Sequence, residues 1–144
     1  MKGDNLYETM GLVRIAEMSA EKGAVLEYEA RGEQCHSGGV VQGGFVTGWI
    51  DAAMAHAVIH DTDHAQTVFS LEIKVSFYEK VGPGEGRVEA RLIRRGKRVA
   101  FLEASLFNPE GQLAAQASST GMLADLGAED AGALRRAAAA RSSA

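Results

Sequence analysis

The stretch GGVVQGGFVTGWIDAAMAHAV, residues 38–58, constrains the fold more than any other part of the chain. Its apolar and small residues follow no two-residue alternation, which marks a helix rather than a strand. From Gly43 to about His60, Phe45, Trp49, Ala52, Ala53 and Ala57 make apolar contact available nearly all round, which predicts a buried helix. A bilayer span needs about 20 mostly apolar residues, and this run has the length. It also carries two glycine pairs, Gln42, Thr47, His56 and a carboxylate, Asp51, and an acid near the middle of a span is costly. No membrane partner is expected. Asp51 is then a polar residue held inside a buried helix, a solvent-facing residue, or the seat of chemistry.

The flanking segments read as strands. Residues 11–31 form two strands around an EKG turn, because Ala24, Leu26, Tyr28 and Ala30 alternate with Val25, Glu27, Glu29 and Arg31. In VFSLEIKVSFY, Phe69, Leu71, Ile73, Val75 and Phe77 point one way and Ser70, Glu72, Lys74 and Ser76 the other. After the turn KVGPGEG come the strands RVEARLIR, RVAFLEASLF and LAAQASSTGML, joined through RGK and NPEGQ. Four consecutive strands with short links predict an antiparallel meander. One apolar helix can be buried only if that sheet curls around it, which gives an α+β fold.

At 144 residues, 46% apolar and 24% charged, the chain fits one soluble domain over 1–126, with an Ala-rich tail, 127–144, as a short helix or a frayed end. A formal charge of −4 and no basic run longer than RRGKR argue against nucleic acid. The lone Cys35 rules out an internal disulfide framework and leaves no zinc-ligand spacing. His56, His60 and His64 recur every four residues, but no carboxylate is placed to complete a metal face. No metal or cofactor is expected. The start, MKGDNLYETM, lacks the apolar core of a signal peptide, so a cytoplasmic location is expected.

The order of strands, long helix and meander resembles the hotdog fold, and GVVQGGFVTGWIDAAMAHA resembles a segment of the PaaI-like branch of hotdog acyl-CoA thioesterases. That segment reads asparagine, two residues, glycine, two residues, histidine-glycine-glycine, then an aspartate eight residues after the first paired glycine. Here the glycine is Gly39, the pair is Gly43 and Gly44, and the aspartate is Asp51. The resemblance runs on through VFSLEIKVSFYEKVGPGE, where Ser70 falls on a strand serine, and through GKRVAFLEASLFNPEGQLAAQAS. Two positions depart from the pattern: His36 stands at the asparagine and Gln42 at the histidine. Both are still hydrogen-bonding residues.

The resemblance implies hydrolysis of acyl-CoA esters with a small or aromatic acyl group. It gives Gly43 the role of backbone N–H donor to the developing oxyanion and makes Asp51 nucleophile or general base. Physically, the first N–H groups of a helix lack intrahelical partners and sit at the positive end of its dipole. Gly43 and Asp51 are roughly 12 Å apart along one helix at ~1.5 Å per residue. The family resolves this by building each site across a dimer interface, so a homodimer or a dimer-of-dimers homotetramer is expected. Ser70 is expected to orient water or Asp51. Gln42, expected among the catalytic residues, and His36, expected to bind substrate, would hold the acyl group or water, and Gly44 is expected to bind substrate. Arg94, Arg95, Lys97 and Arg98 form a basic tip that could hold the phosphates of coenzyme A. A hotdog hydratase or dehydratase would pair the acid with a catalytic histidine, which Gln42 does not supply. A non-catalytic acyl-CoA-binding module is the remaining alternative.

Overall fold

The period-two pattern of the second strand produces the floor of the core: Ala24, Leu26, Tyr28 and Ala30 are all buried. The computed structural model describes residues 3–19 and 23–142, so Glu21 and Lys22 of the expected turn lie outside the described residues. In chain order the elements are α1 (Gly3–Met10), β1 (Leu12–Ser19), β2 (Gly23–Ala30), α2 (Gly43–Asp61), β3 (Gln66–Phe77), β4 (Gly84–Arg95), β5 (Val99–Phe107), β6 (Leu113–Asp125) and α3 (Ala128–Ser142). The six strands form one antiparallel sheet curved around α2. Val88 and Ala90 of β4 and Leu102 and Leu106 of β5 join its buried core.

The anchor of that core is Trp49. Its ring lies flat on Tyr28, centroids 4.1 Å apart with an interplanar angle of 11°, and its indole N–H donates to the Met10 carbonyl. One side chain thus ties α2 to β2 and to the end of α1. Truncating a buried Trp to Ala costs roughly 3–5 kcal/mol. The α2 helix is not buried on every side, however. Gly44 and Asp51 are exposed, with Thr47, Gly48, Ala52 and Ala55 half-buried along the same side. A curved sheet wraps only one side of a helix, and the other side is partly covered by α1: a Cβ at Gly48 would collide with the Met10 methyl.

The expected four-strand meander is corrected to three. The sheet order is β1-β2-β4-β5-β6-β3, so β3 pairs with β6 at the far edge, and β4 returns to pair with β2. The link between Phe77 and Gly84 is not a hairpin. Tyr78 and Glu79 donate to the Ala114 carbonyl, Val81 is buried, and the Val81 carbonyl accepts from Val41 N–H. Seven residue steps reach about 23 Å, enough to cross the sheet end over strands ~4.8 Å apart. The meander proper is β4-β5-β6. Its second turn is closed by Asn108, which is buried, accepts from Gln112 N–H at 2.8 Å and donates to the Lys80 carbonyl at 3.2 Å.

A second correction concerns the faces of β3. Ser70 pairs with Gly121 and Glu72 with Thr120, so Leu71 is an extra residue, a β-bulge. Before the bulge Val68 and Ser70 face α2; after it Ile73, Val75 and Phe77 do. Phe69 and Leu71, expected on the side of Ile73, are 63% and 59% exposed instead. A one-residue insertion reverses the side-chain alternation beyond it.

The tail is the α3 helix, which buries Ala131 and places Arg135 Nη2 at 2.7 Å from the Asp63 carbonyl. Among the described residues no helix is long and apolar enough to cross a membrane.

Candidate active site

Asp51 sits in the middle of α2 on the side turned away from the core. The Ser70 hydroxyl donates to its Oδ1 at 2.7 Å. The contact exists because the bulge turns Ser70 toward the helix. A hydroxyl bond to one carboxylate oxygen fixes the side-chain rotamer and leaves Oδ2 to act.

Asp51 also lines a pocket of about 440 Å³ with Leu6, Tyr7 and Met10 of α1, Gly48, Ala52, Ala55, His56 and Ile59 of α2, and Leu134 of α3. The walls are mainly hydrocarbon. Besides Asp51 the polar groups on the wall belong to Tyr7, Thr67 and His56, of which His56 is buried. Its Nδ1 lies 2.8 Å from the Ala52 carbonyl and its Nε2 3.0 Å from the Tyr7 hydroxyl. A carbonyl only accepts, so Nδ1 carries the proton there; Nε2 of a neutral ring then accepts from Tyr7. The sequence reading missed Tyr7, His56 and Leu134 as pocket residues. The spacing of Leu6, Tyr7 and Met10 in GDNLYETM, apolar at i, i+1 and i+4, was the available sign of an amphipathic α1.

The other end of α2 has its own geometry. Gln42 is the N-cap, with φ −63° and ψ 135°, and its side-chain oxygen accepts from Gly44 N–H at 2.8 Å. A Cβ at Gly44 would stand 2.7 Å from that oxygen, so glycine makes the cap possible. Because Gln42 takes the Gly44 N–H, the Gly43 N–H is the one left without an acceptor among the described residues. The Phe77 ring lies beside it, 3.3 Å from where a Cβ of Gly43 would be. Gly43 opens into a separate pocket of about 320 Å³ with Val40, Phe77, Tyr78 and Lys80. One chain therefore brings Asp51 and Ser70 together and keeps Gly43 apart from them.

His36 is exposed in a turn closed by bonds between His36 and Val40 and between Gly39 and His36, with Gly39 at φ +72°. Its Nδ1 accepts from Gly38 N–H at 3.3 Å. The basic tip is the β4–β5 hairpin, closed by Gly96 N–H to the Val99 carbonyl at 2.8 Å. Arg94, Arg95, Lys97 and Arg98 are all exposed, and Arg95 Nε is ion-paired to Asp61 Oδ2 at 2.8 Å. That pairing holds the tip near the C-terminal end of α2, away from Gly43. Among the described residues no three His, Cys, Asp or Glu side chains are grouped to hold a metal ion.

The sequence model of the thioesterase superfamily matches residues 38–115, which span the helix, the Asp51–Ser70 pair and the basic tip. A Saccharolobus solfataricus protein, named provisionally as an esterase, is 29% identical over 117 residues, 81% of each chain. The crystal structure of a phenylacetic acid degradation-related protein of Ralstonia eutropha JMP134, provisionally a thioesterase, superimposes with a TM-score of 0.75 at 29% identity, over 82% of this chain and 89% of that one. The E. coli PaaI protein of the phenylacetic acid degradation operon shares the fold, with a TM-score of 0.74 at 16% identity over 88% and 87% of the two chains. With a curved six-stranded sheet around one long helix and a family match over more than half its length, the chain belongs to the thioesterase superfamily and is a hotdog-fold thioester hydrolase.

Proposed function

We propose that the protein hydrolyses acyl-CoA esters with an apolar, small or aromatic acyl group, at a site completed by a second copy of the chain. The observation that carries this reading is a carboxylate, Asp51, held by Ser70 at the mouth of a hydrocarbon-lined pocket. Pockets of this size and lining suit small apolar groups. In the reaction Asp51 either draws a proton from water that attacks the thioester carbonyl, or attacks that carbonyl itself to form a mixed anhydride that water then hydrolyses. In both cases the C–S bond breaks, the thiolate of coenzyme A leaves and takes up a proton, and Ser70 keeps Asp51 aimed. The carbonyl oxygen becomes negative and needs a donor. Gly43 N–H of the other subunit supplies it, with the positive end of the α2 dipole behind it.

Two features support the shared site. Gly43 and Asp51 open into different pockets of one chain. The edge strand β3 runs 12 residues and exposes Phe69, Leu71 and Phe77. A long apolar edge invites pairing, and a two-fold axis beside β3 would cover it and bring one α2 toward the other. A dimer of such dimers is compatible with this contact. In this reading Gln42 positions the Gly43 amide through its cap on Gly44, His36 lies at the entrance, and Arg94, Lys97 and Arg98 meet coenzyme A phosphates. Arg95 acts mainly by fixing the tip.

The test is a panel of acyl-CoA esters, from acetyl to phenylacetyl and longer chains, with release of free thiol as the readout. Apolar esters larger than acetyl should be cleaved, and folded Asp51→Asn should lose about a hundredfold in turnover. No thiol release from any ester, or full activity in the folded variant, contradicts the reading.

A further inference from the structure

The bulge in β3 works against the apolar preference of the strand that carries it. If β3 were regular from Phe77 back to Val68, the α2-facing set would be Phe77, Val75, Ile73, Leu71 and Phe69. Ser70 would then face away from Asp51. Burying Leu71 and Phe69 would favour that regular strand; in the bulged one they are 59% and 63% exposed. Within a single chain the bulge therefore needs something to hold it.

Three contacts do so. Glu72 Oε1 accepts from the Thr120 backbone N–H of β6 at 2.8 Å. The Ser119 hydroxyl donates to the Glu72 carbonyl at 2.7 Å. Opposite Ser70, Gly121 leaves the space that Val68 fills, since a Cβ there would strike Val68 Cγ2. An extra residue disrupts the ladder locally, and here a side-chain carboxylate and a side-chain hydroxyl meet ladder groups. Of these, the Glu72 bond alone joins the bulged segment's own side chain to the neighbouring backbone. A carboxylate bond to a backbone N–H is among the stronger kinds.

We propose that Glu72 is a positioning residue: its grip on Thr120 N–H fixes the bulge that turns Ser70 onto Asp51. The consequence for turnover rests on the catalytic reading of Asp51 and Ser70; the geometric claim does not. Glu72 touches no reacting atom.

The geometric claim is tested without substrate, by the NMR contact between the Ser70 and Asp51 side-chain protons in the wild type, Glu72→Ala, Glu72→Met and Glu72→Gln. Ala and Met remove the acceptor, and Met keeps the length of the stem in case the Ala variant fails to fold. The contact should vanish in both and persist in Gln, which keeps a carbonyl oxygen. Its survival in a folded Ala or Met variant overturns the proposal. Thiol release then gives the kinetic arm: Glu72→Met should lower kcat about as much as Ser70→Ala, with Glu72→Gln close to wild type. Added to Ser70→Ala, it should cost nothing further. An equal further loss in that background places the action of Glu72 elsewhere and also overturns the proposal. An unchanged kcat with a lost NMR contact would instead contradict the role of Ser70, leaving the bulge claim standing.

Discussion

Ser70 and Asp51 are 19 residues apart on a strand and a helix, and the hydroxyl of one donates to the carboxylate of the other at 2.7 Å. Both are exposed in the single chain, so the bond contributes little to folding and is placed to aim the carboxylate.

Ser70→Ala should therefore lower kcat about tenfold, the worth of one hydrogen bond to a carboxylate. Tm should move little. Steady-state thiol release and a thermal melt on the same preparation check both halves. An unchanged kcat, or a large fall in Tm, would give Ser70 a purely structural part.

How much of this was legible in the sequence differs by element. The burial of Ala24, Leu26, Tyr28 and Ala30 follows directly from their alternation, and the α2 span from the loss of alternation after Gly43. The bulge at Leu71 was not legible, because a strand with one inserted residue keeps the same alternating letters while its pairing shifts. Nor was the place of β3 beside β6, which depends on long-range pairing rather than on local pattern. In the site, the spacing of Gly43 and Asp51 implied two separate positions on one helix, and the structure sets them in two pockets. Tyr7, 49 residues from its partner His56, and Leu134 of α3 enter the Asp51 pocket only through tertiary packing.

The pocket beside Asp51 predicts a size limit. Ala55 is half-buried on its α2 wall, and Ala55→Leu would fill space that an acyl group needs. KM for longer and aromatic esters should rise about tenfold or more, while acetyl and propionyl esters change little, since one methylene in an apolar pocket is worth about 1–3 kcal/mol. A uniform change across the ester series would put the acyl group elsewhere.

Stability should fall in mild acid through His64. This residue has φ +64°, its Nδ1 is buried without a hydrogen-bond partner among the described residues, and burial, followed by the nearby Arg135, holds its pKa below the ordinary 6.5. A group with a lowered folded-state pKa contributes stability above the unfolded value, here about 6.5, and that contribution is lost as the pH falls toward the folded value. His64→Asn keeps a residue type that accepts positive φ and removes the titration. Between pH 8 and pH 5 its Tm should drop less than that of the wild type. Parallel Tm curves would remove His64 from the acid response.

The shared site is tested most directly by mixing two inactive subunits. Gly43 is the first residue of α2, does not have a positive φ, and follows Gln42 at φ −63° and ψ 135°, a backbone that proline accepts after it. Gly43→Pro deletes the unpartnered N–H and requires only a small shift of the Phe77 ring. Asp51→Asn deletes the carboxylate with little change of shape. Each variant alone should be nearly inactive. In a dimer of one with the other, one site carries both lesions and the second carries neither. Equal amounts, refolded together with subunit exchange confirmed by mass, should therefore recover about a quarter of wild-type thiol release by that symmetry. Exchange without recovered activity would contradict a site built from Gly43 of one chain and Asp51 of the other.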